Sequence, residues 1–186
     1  MTIRFETPHD AAAIEDILDR SFAPGRERKT AYRLRDGVAP IDSLSFVNTL
    51  PTGAVAATLR FWPIALGWER VPALLLGPLA VDPALQGLGF GKALMRHGLA
   101  AAAADGHRIV VLVGDPGYYE PFGFSRAMTR NLSMPGPVEA HRFLARELVP
   151  GALDGVQGMI QRAANDPGPV LAARAGAGAT PMFAEP

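Results

Sequence analysis

Between residues 71 and 113 the chain runs from an almost unbroken apolar stretch, VPALLLGPLAV, through DPALQGLGF and GKALMRHGLAAAAADGH to RIVVLV. Leu94, Met95, Gly98, Leu99 and Ala102 share one face at helical spacing within Lys92 to Ala104, and Asp105-Gly106 closes that segment. Two apolar strands joined through a helix form a crossover, so the sequence predicts a parallel pair in one sheet. A strand apolar along its whole length is buried on both faces. Pro78, however, cannot donate to a ladder, so the first strand must bulge or splay at Gly77-Pro78. This unit alone forces an α/β fold with helices covering a sheet.

The remaining segments are read around it. TIRF, 2 to 5, predicts a short strand; Thr7, Pro8 and Asp10 then resemble a capping box opening a helix with Ile14, Ile17, Leu18 and Phe22 on one face. A second amphipathic piece spans Glu27 to Arg35, and residues 43 to 50 and 54 to 64, separated by PTG, predict a hairpin. Beyond 113, Tyr118 to Gly123 predicts one helical turn, FSRAMTRNLSM a further strand or two, and Glu139 to Leu148 a short helix or strand. With 186 residues the chain supports one domain, placed at 1–162, followed by an Ala/Gly/Pro-rich tail at 163–186 without periodicity.

Composition narrows the function classes. Eighteen basic residues balance eighteen acidic ones, which argues against a nucleic-acid-binding surface, and the absence of cysteine removes disulfides, thiolate metal sites and a cysteine nucleophile. The four histidines form no H-x-x-x-H pair, so no metal is expected. No apolar run reaches the roughly 18 residues of a membrane span and residues 1 to 20 lack an apolar core flanked for export, so a cytoplasmic location is expected.

Gly87, Gly89 and Gly91 stand at alternate positions before the helix, and three ligand readings compete for them. A triphosphate loop needs a glycine five positions before Gly91 and Ser or Thr after Lys92; Gln86 and Ala93 stand there instead. A dinucleotide fingerprint needs its third glycine one position later and its loop directly after the first strand; Asp115 would supply the acidic partner, but several elements precede this loop. The third reading takes Gln86-Gly87-Leu88-Gly89-Phe90-Gly91 as Q-x-x-G-x-G, whose backbone N–H groups curl around a pyrophosphate at the helix N-terminus, with Lys92 adding charge.

Those six residues resemble the pyrophosphate loop of the GNAT superfamily, the acyl-CoA-dependent N-acetyltransferases. LGPLAVDP, ahead of the loop, resembles that family's central strand, and GYYEPFGF its later Tyr-x-x-x-Gly-Phe element, so the likeness covers roughly residues 3 to 125. The resemblance implies a mixed sheet flanked by α-helices, with the two parallel strands splayed and acetyl-CoA lying in the gap as co-substrate. It implies that Leu79, Ala80 and Val81 hold the pantetheine arm and that the amides of Gln86, Gly87, Leu88, Gly89, Phe90, Gly91 and Lys92 take the pyrophosphate. Tyr119, four before Gly123, matches the tyrosine that protonates the departing thiolate, with Tyr118 as its understudy. Where the family often has an asparagine, this chain has GDPGYY.

For a base, Asp115 is the preferred candidate over Glu69, Asp82 and Glu120, against the plainer reading of Asp115 as a turn residue. RERK, 26 to 29, reads as a solvated helix start, and Trp62 and Trp68 as core or rim near the turn that follows the hairpin. The expected function is transfer of an acetyl group to a primary amine of a small molecule or peptide. The alternatives are a non-catalytic acyl-CoA-binding module and, more distantly, a Rossmann-type NAD(P) oxidoreductase; a homodimer stays open.

Overall fold

The computed structural model describes residues 1–163; the tail expected at 163–186 lies almost wholly outside them. Strands β1 (Thr2–Phe5), β2 (Phe46–Thr49), β3 (Val55–Leu66) and β4 (Val71–Val81) form an antiparallel meander. Helix α1 (Ala11–Ser21) follows β1, and α2 (Thr30–Arg33) precedes β2. Helix α3 (Phe90–Ala104) then crosses over to β5 (Ile109–Val113), which pairs with β4 in parallel. After α4 (Pro116–Tyr119) come β6 (Leu132–Ser133), β7 (Phe143–Glu147) and β8 (Gly158–Arg162). The main path is β1-β2-β3-β4-β5-β7, and β8 joins the far end of β3.

The two helices cover opposite faces. The stripe read from sequence is buried as expected: Leu94, Met95, Leu99 and Ala102 pack on Phe46, Leu59, Phe61, Leu76 and Val110. A Cβ on Gly98 would lie 2.7 Å from Leu59 Cδ2 and 2.8 Å from Phe61 Cε2, so glycine is what lets α3 sit this close to the sheet. On the other face Ile14, Ile17 and Leu18 of α1 bury against Val47 and Ala80. Leu34, Ile64, Leu75, Val111, Phe143 and Ile160 form a neighbouring cluster.

Local chemistry explains the departures. Asp10 does accept from the Thr7 amide and hydroxyl, both at 2.8 Å, but the box sits on a 3-10 turn, Pro8–Asp10, and α1 begins only after it. The amphipathic piece at 27–35 is broken in two, because Lys29 is extended between the turn Arg26–Arg28 and the four-residue α2. The strand expected across FSRAMTRNLSM is largely absent. Ser125 caps Ala127 N–H, and Thr129 donates from Oγ1 to the Phe143 carbonyl at 2.7 Å, so side-chain bonds hold a 3-10 turn at Arg126–Thr129 and leave only the two residues of β6.

Candidate functional site

Strands β4 and β5 pair only at Leu74–Val110 and Leu75–Val111. Beyond that point β4 stays with β3 while β5 stays with β7, and a cleft of about 1030 Å³ opens between them. The parting coincides with a bulge: Leu59 faces Leu79 and Phe61 faces Leu76, so Gly77 and Pro78 together oppose Arg60. The Gly77-Pro78 peptide is cis, and the Gly77 carbonyl accepts from Trp62 Nε1 at 2.7 Å.

Past the bulge the alternation of an extended strand decides which backbone groups are free. The Asp82 amide donates to Ala56 on β3. Ala80, two residues earlier, therefore turns its N–H and C=O to β3 as well, and its side chain is buried against α1. Leu79 and Val81 turn theirs to the cleft. Ser21, at the end of α1, donates to the Val81 carbonyl at 3.1 Å. Of the three strand residues singled out from sequence, Leu79 and Val81 thus offer backbone groups to a ligand.

The strand leads into the glycine loop. Gly87 and Gly89 have φ of +80° and +90°, and a Cβ on either would meet nothing within 4 Å, so the loop is left-handed and open. Gly89 caps α3 without any side-chain bond, and the first intrahelical donor is the Ala93 amide to the Gly89 carbonyl. The amides of Phe90, Gly91 and Lys92 therefore have no partner within the helix, and the helix dipole points out through them. Gln86, Gly87, Gly89, Phe90, Gly91 and Lys92 line the cleft, whereas the Leu88 side chain is exposed. Free amides and a positive dipole end at one end of the cleft are groups that can hold an anion such as a phosphate.

Tyr118 and Tyr119 close one wall, their rings edge-on at 4.9 Å. Tyr118 reaches over the start of α3, since a Cβ on Gly91 would lie 2.8 Å from its hydroxyl oxygen. Tyr119 lies over Gly114, where a Cβ would stand 2.1 Å from its Cε2. Burial pushes both phenols above their ordinary value, Tyr119 much further. Each is a fully protonated donor at neutral pH.

The carboxylates sort differently. Asp115 Oδ1 accepts from the Gly117 amide at 2.8 Å, which makes it the N-cap of α4 while it still lines the cleft. Asp82 caps the next turn and pairs with Arg20 at 2.9 Å. Glu69, in the turn between β3 and β4, does not line the cleft, and Glu120 is exposed.

RERK holds a 3-10 turn and is solvated at Glu27, Arg28 and Lys29 but not at Arg26. Arg26 is nearly buried and makes ion pairs with Glu15, Asp19 and Glu27. Trp68 is exposed at the turn, while Trp62 stands within β3. Arg35 and Tyr32 also line the cleft and were missed from sequence. Their one sequence signal is an i, i+3 spacing in a segment that reads as an ordinary amphipathic helix. Among the described residues, no helix is long and apolar enough to cross a membrane, and no group of three or more His, Cys, Asp or Glu could hold a metal ion.

Comparison with known proteins agrees with this geometry. Residues 11–124 match the Acetyltransferase (GNAT) family. An uncharacterized N-acetyltransferase, YhbS of Escherichia coli strain K12, is 35% identical over 162 residues, 87% of this chain and 95% of its own length. The crystal structure of YhbS from Escherichia coli in complex with CoA superposes with a TM-score of 0.75 at 33% identity, covering 87% of this chain and 89% of the other. A GNAT family acetyltransferase from Brucella melitensis in complex with acetyl-CoA gives 0.56 at 31% identity, covering 77% and 94%.

Proposed function

This chain belongs to the GNAT acetyltransferase family, and on that premise we propose that it moves an acetyl group from acetyl-CoA to a primary amine of a small molecule or peptide by direct attack. The observation that carries this reading is the pair of cleft features joined by one loop: the edge of β4 at Leu79 and Val81, which β5 leaves unpaired, and the uncapped start of α3. The peptide-like pantetheine arm pairs with the free edge of β4, and the pyrophosphate takes the amides from Gln86 to Lys92. With the phosphates at the loop and the arm along residues 81 to 79, the thioester comes to the bulge at Gly77-Pro78.

There the Leu79 N–H polarises the thioester oxygen. The neutral amine attacks the carbonyl carbon, the new C–N bond forms, and the C–S bond breaks. Tyr119 donates a proton to the leaving thiolate; burial ensures that its hydroxyl carries that proton at neutral pH. The surplus proton on nitrogen leaves to solvent through Asp115, which lines the cleft, and Tyr119 takes a proton back from solvent before the next turnover.

Titration calorimetry with acetyl-CoA, CoA and NADH tests the reading, comparing wild type with Lys92→Glu. A glutamate in the first turn suits the helix dipole, so the variant stays folded, but it repels a pyrophosphate. Acetyl-CoA binding weakened about tenfold or more in the variant is the expected result. Absence of acetyl-CoA binding, or NADH binding in its place, overturns it.

A further inference from the structure

Among the described residues, no carboxylate pairs with the cation at the acyl end of the cleft. Arg35 lines the cleft beside the β4 bulge, where a Cβ on Gly77 would lie 3.1 Å from Arg35 Nη2. Its guanidinium carbon sits 4.8 Å from the centre of the Tyr32 ring and 5.6 Å from that of Trp62. Trp62 is itself fixed by its bond to the Gly77 carbonyl. Among the described residues, Arg35 Nε is buried without a hydrogen-bond partner.

Two carboxylates line the same cleft, and both are engaged elsewhere: Asp115 caps α4, and the exposed Glu139 lies 3.6 Å from His141 and 3.8 Å from Arg142. Asp36, next in sequence, pairs with Arg162, and Glu6 takes Arg60 through both oxygens at 2.6 and 2.7 Å. Besides the Tyr32 phenol, neutral at pH 7, the group that acts on Arg35 is another cation, Arg60. Burial pulls its pKa down to about 10, which leaves it cationic at neutral pH. Burying a guanidinium without a carboxylate is costly, and aromatic faces on Tyr32 and Trp62 offset only part of that cost. The arrangement makes physical sense when an anion completes it.

Resting on the acetyl-CoA reading above, we propose that Arg35 is an oxyanion receptor at the acyl end of the cleft, and that the amine acceptor carries a carboxylate or phosphate which this fork binds. Gly77 lies two residues beyond Leu79, across the bulge. A compact acceptor thus places its amine at the thioester while its anion reaches the guanidinium. The same chemistry could arrive from the donor side, as a carboxylate on the far end of the acyl chain, and the test separates the two sources.

Trp68→Phe leaves Trp62 as the sole tryptophan. This protein, saturated with CoA, is titrated with the matched probes glycine and glycinamide, and phosphoethanolamine and ethanolamine, while Trp62 fluorescence is followed. Acetyl-CoA and succinyl-CoA affinities are measured in parallel. The expected result is a Trp62 response to the anionic member of a pair, at least about tenfold weaker in Arg35→Gln and partly restored in Arg35→Lys, with acetyl-CoA affinity unchanged in both. A response confined to succinyl-CoA and dependent on Arg35 supports the receptor and assigns the anion to the donor. Equal responses to charged and uncharged probes, or none that depend on Arg35, overturn the proposal while leaving acetyl transfer standing. Loss of acetyl-CoA binding in the parent protein would instead strike the underlying reading.

Discussion

Adding one methyl group at Gly114 should separate the position of Tyr119 from everything else in the cleft. The new Cβ would stand 2.1 Å from Tyr119 Cε2 and 2.8 Å from Cδ2, where ordinary contact begins near 3.4 Å. Gly114 is buried at the end of β5, and its amide is tied to the Arg142 carbonyl at 2.9 Å, so the backbone is held and the ring must yield. Relief requires a displacement of about 1.3 Å, and misplacing a reacting group by about 1 Å costs on the order of a hundredfold in rate. Gly114→Ala is therefore expected to lower turnover about 100-fold while acetyl-CoA affinity stays within about threefold, because the loop and the β4 edge are untouched. Overpacking should cost about 1–3 kcal/mol of stability, a fall of some 2–4 °C per kcal/mol, which leaves the domain folded. The assay is release of the CoA thiol to a thiol reagent with an amine acceptor, and a chain without cysteine adds no background. Tyr119→Phe removes the hydroxyl without moving the ring, so the double variant should be no slower than Tyr119→Phe alone. Wild-type turnover in Gly114→Ala, or equal losses in turnover and affinity, would refute the reasoning.

Two further expectations concern the scaffold. Gly98→Ala places a Cβ 2.7 Å from Leu59 and 2.8 Å from Phe61; the packing cost of about 1–3 kcal/mol outweighs the roughly 1 kcal/mol that alanine gains in a helix, so urea melts should show a net loss of up to about 2 kcal/mol. Asp10 is held below the usual carboxylate range, first by its bond to Arg4 at 2.7 Å and then by Thr7. Because the folded value is depressed, the stabilisation is present above the unfolded pKa near 4 and is lost as pH falls through the folded one. Asp10→Asn should therefore cost about 1–2 kcal/mol at pH 7, discounted because Arg4 is 39% exposed, and the gap between the variants should narrow in urea melts at pH 3. A gap that widens on acidification would contradict the assignment.

The parts of this protein that could be read in its sequence are those set by periodicity and by glycine or proline. The apolar stripe from Leu94 to Ala102, the turn between β2 and β3, and the interruption of β4 at Pro78 each follow from one residue's geometry or one repeat, so they survive without tertiary information. The short elements do not. At 27–35 the helical pattern is real, but Arg26 is drawn into the acidic side of α1 and Lys29 is extended, so long-range ion pairs cut a helix that local spacing supports. At 125–134 the hydroxyls of Ser125 and Thr129 satisfy backbone groups that a strand would have used.

The site divides along the same line. The glycine loop is legible because its backbone is left-handed at Gly87 and Gly89, and glycine is the signature of that conformation. Arg35 is illegible for the opposite reason. Nothing near it in sequence marks it, since what makes it unusual is the company it keeps in three dimensions: two aromatic rings, a glycine with no Cβ to crowd it, and a second arginine, Arg60, whose carboxylate partner is Glu6. A functional cation that depends on the absence of a partner leaves no motif. It becomes visible only when the partners of the surrounding charged groups are traced in three dimensions.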